Sequence, residues 1–93
     1  MALVKTIIHP RAFRHGLTEQ QIRHAFATGV DTKRIRLRDA DRFPPSWGII
    51  GYDEGGRNIE LVATPLANGD VLIFHARKLT KGFAREMREA KRL

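Results

Sequence analysis

A histidine, an arginine and a lysine stand close together where an apolar run gives way to a basic one. His75-Ala76-Arg77-Lys78 follows Val71-Leu72-Ile73-Phe74 and precedes Thr80, after which Lys81, Arg85, Arg88, Lys91 and Arg92 recur. The apolar run reads as a buried strand, and Thr80 reads as the residue that opens a helix. Side-chain cations and the free N–H groups of a helix start can then point the same way, which suits them to hold a phosphate. The expected ligand is a polyanion, RNA first.

Cleaving RNA without a metal takes three services. The 2′-hydroxyl must lose a proton, the pentavalent phosphate must be stabilised, and the leaving 5′-oxygen must gain a proton. Arginine suits the second, because its fork matches two phosphate oxygens. Histidine suits the first or the third near neutral pH. Arg77 with Lys78 is the candidate phosphate clamp, and His75 or His15 the candidate acid/base. His75 and Arg77, two apart on a strand, share one face, whereas Lys78 at the strand's end need not. Arg14, Lys81 and Arg85 are candidate RNA contacts. Glu60 lies among Ile59, Leu61 and Val62, where it either orients a cation of the active face or projects outward between inward-facing neighbours.

Each of these has a plainer reading. His75 follows Phe74 and would also serve as a buried, hydrogen-bonded sheet histidine. His15 precedes Gly16 and would help end a short helix, His24 reads as surface, and His9 before Pro10 reads as structural. Four histidines without matching Asp or Glu spacing make a poor zinc site, so no metal and no cofactor is expected. Asp39 and Asp41 lie beside Arg38 and Arg42, which local ion pairing explains better than a carboxylate dyad. The charges of the last helix also fit an ordinary solvated face, with Glu86 and Glu89 near basic neighbours.

The 93 residues bound a single domain, 1–93, with one modest core from its 42% apolar content. The absence of cysteine excludes disulfides, thiolate metal sites and cysteine nucleophiles. No apolar run approaches the roughly 20 residues of a membrane span, and the start reads as a strand, so a cytoplasmic protein with no membrane partner is expected. The net charge of +7 lies at the two ends of the chain, while the middle third balances. Such an excess favours nucleic acid or an acidic protein.

The elements that must position these residues are readable in turn. A first strand is expected over 3–8. Pro10 opens a short helix over 10–15 that Gly16 ends. Thr18-Glu19-Gln20-Gln21 has the form of a capping box, and the helix behind it carries Ile22, Ala25 and Phe26 and stops at Gly29. Lys33 to Arg38 alternates cation with apolar residue as a half-buried strand does. A loop holding Pro44-Pro45 follows, then strands over 47–53 and 57–64. Asn68-Gly69 is a hairpin turn into the strand 71–77. A last helix over 80–92 places Phe83, Met87 and Ala90 on one stripe. The fold class is α+β: a curled antiparallel sheet of about four strands with the helices packed on one side.

Two short words resemble a known family. Arg14-His15-Gly16-Leu17-Thr18 resembles the Lys/Arg-His-Gly-Val-Ser/Thr word near the start of BrnT-type toxins. His75-Ala76-Arg77-Lys78-Leu79-Thr80 resembles their Ser-Ala-Arg-Lys-Ala-Thr word between last strand and C-terminal helix. The resemblance spans roughly residues 10–90, with His75 in place of Ser, Ile7-Ile8-His9-Pro10 in place of an aromatic, acidic opening, and no Tyr after Arg85-Glu86. It implies a RelE-like fold and a metal-independent endoribonuclease, the toxin half of a bacterial type II pair held inactive by a cognate antitoxin. It leaves open a homodimer or a hetero-oligomer with that antitoxin. The competing expectations are a nucleic-acid-binding module that does not cleave, and a module whose cationic face docks an acidic partner.

Overall fold

One mixed sheet, rather than a wholly antiparallel one, organises the molecule. The structure is a computed structural model and describes residues 5–32, 36–37 and 46–91. In chain order these form β1 (Thr6–Ile8), a 3-10 helix (Pro10–Phe13), α1 (Glu19–Thr32), β2 (Arg36–Leu37), β3 (Trp47–Tyr52), β4 (Asn58–Pro65), β5 (Val71–Lys78) and α2 (Lys81–Lys91). The five strands lie in the order β1-β5-β4-β3-β2. The pairs among β2, β3, β4 and β5 are antiparallel, and β1 joins the outside of β5 in parallel. That last pairing has no hairpin to announce it, because its strands are remote in sequence. Lys33, Arg34, Ile35, Arg38, the loop with Pro44-Pro45, and Asp39 with Asp41 lie outside the described residues.

The local signals explain the elements. Thr18 and Gln21 form the reciprocal capping box, with Gln21 N–H donating to Thr18 Oγ1 at 3.1 Å and Thr18 N–H to Gln21 Oε1 at 2.8 Å. His9 caps the 3-10 helix, its Nδ1 accepting from Arg11 N–H at 3.0 Å. Gly69 takes φ +93 in the Asn68-Gly69 turn, a conformation that favours glycine. Asp53 organises the other hairpin: its Oδ1 accepts from the N–H groups of Gly55 and Arg57, both at 2.9 Å. Those bonds, Arg57's first, hold its carboxyl below the usual aspartate value against an opposing desolvation.

The helices do not share one side of the sheet. Ile22 and Ala25 of α1 pack with Ile49, Ile59, Leu61 and Ile73 on one face. Phe83 and Met87 of α2 pack with Val62, Ile50 and Phe74 on the other. Alternation along β4 sends Ile59, Leu61 and Ala63 one way and Glu60 and Val62 the other. The side chain of Ala90 lies outside those described.

Gly29 does not end α1, which runs on to Thr32. A Cβ at Gly29 would stand 2.6 Å from the Ile50 carbonyl oxygen, and one at Gly51 would stand 1.8 Å from the Ala25 carbonyl oxygen. These two glycines let helix and strand touch backbone to backbone. Among the described residues, no helix is long and apolar enough to cross a membrane.

Candidate active site

The chemistry-bearing residues meet where β4, β5, the 3-10 helix and the start of α2 come together. Glu60 on β4 stands directly across from Arg77 on β5, and Val62 across from His75. The register slips beyond Val62, where Ala63 pairs with Ile73, so Phe74 is the extra residue of a bulge. The bulge keeps His75 and Arg77 on the Glu60 face while Ile73 and Ala76 stay in the α1 core. The shared face expected of His75 and Arg77 is therefore present.

Glu60 is the buried centre of the cluster, with 4% of its surface exposed. It does not project outward. Its Oε2 meets His75 Nε2 at 2.8 Å. Its Oε1 accepts from Thr80 N–H at 2.8 Å and from the Thr80 hydroxyl at 2.6 Å. An ionised carboxylate only accepts, so with Glu60 in that form His75 Nε2 carries a hydrogen and Nδ1 is left to meet a ligand. Thr80 in turn caps α2, its Oγ1 accepting from Phe83 N–H at 3.3 Å.

His15 arrives from the far end of the sequence. Its ring stands edge-on to that of His75, with centroids 5.5 Å apart and planes at 72°. Its pKa is held below the usual histidine value, first by partial desolvation, then by Arg77, His75 and Arg14, with Glu60 opposing. A neutral imidazole near neutral pH can accept a proton.

A cavity of about 250 Å³ opens beside the cluster, lined by Arg11, Arg14, Glu60, His75, Arg77 and Thr80, with Phe74. Arg11, Arg14 and Arg77 are exposed, and none forms an ion pair with another described residue. Arg11 escaped the sequence reading. It stands three residues before Arg14, one turn of a 3-10 helix, which puts the two on one face. Lys78 pairs with Ile59, so the strand's alternation turns it to the α1 side, away from Arg77. It does not line the cavity with Arg77. Lys81 and Arg85 are exposed on α2 but do not line the cavity.

Elsewhere, His24 Nδ1 lies 2.9 Å from the Tyr52 carbonyl oxygen, a packing role. A second cleft of about 220 Å³, on the α1 face, is lined by Phe26, Trp47, Ile49, Ala63, Thr64, Pro65 and Val71 and holds no ionisable group. Among the described residues, no three His, Asp or Glu side chains gather as a metal-holding group. The chain matches no protein-family model, no curated protein and no solved structure.

Proposed function

We propose that the chain is a ribonuclease that cleaves RNA by attack of the 2′-hydroxyl on its own 3′-phosphate, without a metal. The observation that carries this is the edge-on pairing of His15 with a carboxylate-anchored His75, which itself lines a cleft edged by three arginines. His15, neutral, takes the 2′-hydroxyl proton as the O2′–P bond forms. Arg77, with Arg11 and Arg14 behind it, stabilises the charge gathering on the phosphate oxygens. As the P–O5′ bond breaks, His75, entering as the imidazolium with Nε2–H held by Glu60, gives the leaving oxygen its Nδ1 proton. The products are a 2′,3′-cyclic phosphate and a 5′-hydroxyl end. His15 has gained a proton and His75 has lost one, and exchange with water resets both.

The biological setting follows the BrnT-like words at Arg14–Thr18 and His75–Thr80: a cytoplasmic bacterial toxin, of RelE-like kind, neutralised by an antitoxin. A module that merely binds RNA would need the guanidinium groups but not two adjoining imidazoles.

The test is purified protein on RNA with chelator present, followed by end-group analysis. Cyclic phosphate ends are expected. Arg77→Ala, His15→Ala and His75→Ala, all folded, should each lose about 10²–10⁴-fold in rate. RNA that is bound but left intact by the wild type would assign the cleft to binding alone. Expression without its antitoxin should stop bacterial growth, and the Arg77→Ala protein should not.

A further inference from the structure

The two oxygens of Glu60 have separate tasks. Among the described residues Oε2 meets His75 alone, while Oε1 receives both donors of Thr80, the backbone N–H at 2.8 Å and the hydroxyl at 2.6 Å. A glutamate's last torsion is broad and soft, so one hydrogen bond to one oxygen does not fix where the other points. Two donors on Oε1 do fix it, and Oε2 is then presented to His75 in one direction. Thr80 sits at the joint where β5 ends and α2 begins, and its hydroxyl does two jobs at once. Its hydrogen goes to Glu60 while its oxygen accepts from Phe83 N–H.

We propose that Thr80 is a positioning residue for the ribonuclease site, acting through Glu60 to hold the His75 ring in one orientation and one tautomer. The assignment rests on the proposed role of His75. Thr80 touches no reacting atom. Its hydroxyl makes the geometry of the last helix's start and the geometry of the histidine a single arrangement. Serine keeps both hydrogen bonds of the hydroxyl. Valine keeps the shape and the backbone N–H but removes the hydroxyl.

The experiment reads the imidazole directly, by nitrogen NMR of His75 in Thr80→Val, Thr80→Ser and wild-type protein, each checked for folding by its melt. In wild type and Thr80→Ser, Nε2 should carry the hydrogen and Nδ1 should not at a pH where the ring is neutral. In Thr80→Val the two nitrogens should move towards an averaged, mobile signature. Thr80→Ala is the second variant, in case valine displaces α2. Kinetics on RNA should show kcat falling about tenfold in Thr80→Val with KM little changed, the size of one charge-assisted hydrogen bond. Thr80→Val added to Glu60→Gln should cost nothing further. A folded Thr80→Val or Thr80→Ala protein with the wild-type His75 signature would overturn the proposal, as would additive losses in the double variant. A wild type inert towards RNA would sink the ribonuclease reading separately, and the imidazole signature would still decide whether Thr80 holds His75.

Discussion

Removing the charge of Arg77 should be felt by a histidine remote from it in sequence. Protonating His15 is disfavoured by partial desolvation and then by the cations Arg77, His75 and Arg14. With Arg77→Gln there is one positive charge fewer, the imidazolium is less disfavoured, and the His15 pKa should rise. An NMR titration comparing the two proteins checks this, and an unmoved midpoint would mean that the two side chains do not sense each other. If His15 takes the 2′-hydroxyl proton, its neutral form must be present. Wild-type activity should then hold until the pH falls below the ordinary histidine value of 6.5. An acid limb at or above that value would place the base elsewhere. The lowered pKa also means that the unfolded chain binds this proton more tightly than the native one. His15 is thus neutral in its effect on stability above that value and unfavourable once the pH falls below it. At this scale the spacing of His75 and Arg77 was legible because a strand's alternation depends only on counting. The same counting turns Lys78 away from Arg77, which its place at the strand's end had left open. Glu60 was recognisable as an oddity between apolar residues, but its choice of His75 and Thr80 depended on a register that no single segment states.

Elements with local chemistry were legible, and contacts between elements were not. The Thr18–Gln21 box and the Asn68-Gly69 turn carry their causes within four residues, and both form as read. Gly29 was read as a stop because glycine commonly ends helices, yet the reason for it is the Ile50 carbonyl on β3. Likewise, β4 is buried on both faces from Ile59 to Ala63, which requires a layer on each side. Its sequence, Ile59-Glu60-Leu61-Val62-Ala63, shows that by failing to alternate. Gly51 gives the sharpest test at this scale. Gly51→Ala places a methyl 1.8 Å from the Ala25 carbonyl oxygen, so α1 or β3 must move. Urea unfolding should show a loss of about 1–3 kcal/mol, as overpacking costs elsewhere. A loss near zero would mean that α1 floats on the sheet rather than resting on it. Gly82, with nothing within 4 Å of an added Cβ, is the control.

For the whole molecule, the charge excess at the two chain ends becomes a local field, because the sheet brings the first helical turn beside the last strand. Arg11 and Arg14 come from one end and Arg77 from the other. Binding of a short single-stranded RNA that touches all three should weaken with salt, with log affinity falling by about two units for each unit of log salt concentration. Arg14→Gln should flatten that slope by about 0.7. An affinity indifferent to salt would argue for a ligand other than a polyanion. The parallel seam between β1 and β5 has a consequence of another kind, in time rather than space. β1 and the 3-10 helix are made before β5, the strand they dock on. Sequence-distant pairings close late, because the loop between them must be ordered first. His15 and its two arginines therefore wait beside an unfinished sheet, and a nascent chain halted before Thr80 has the cations but no cleft. Pulse-labelled refolding should find the β1 amides protected last, so that whatever activity the cleft has appears only with the completed fold.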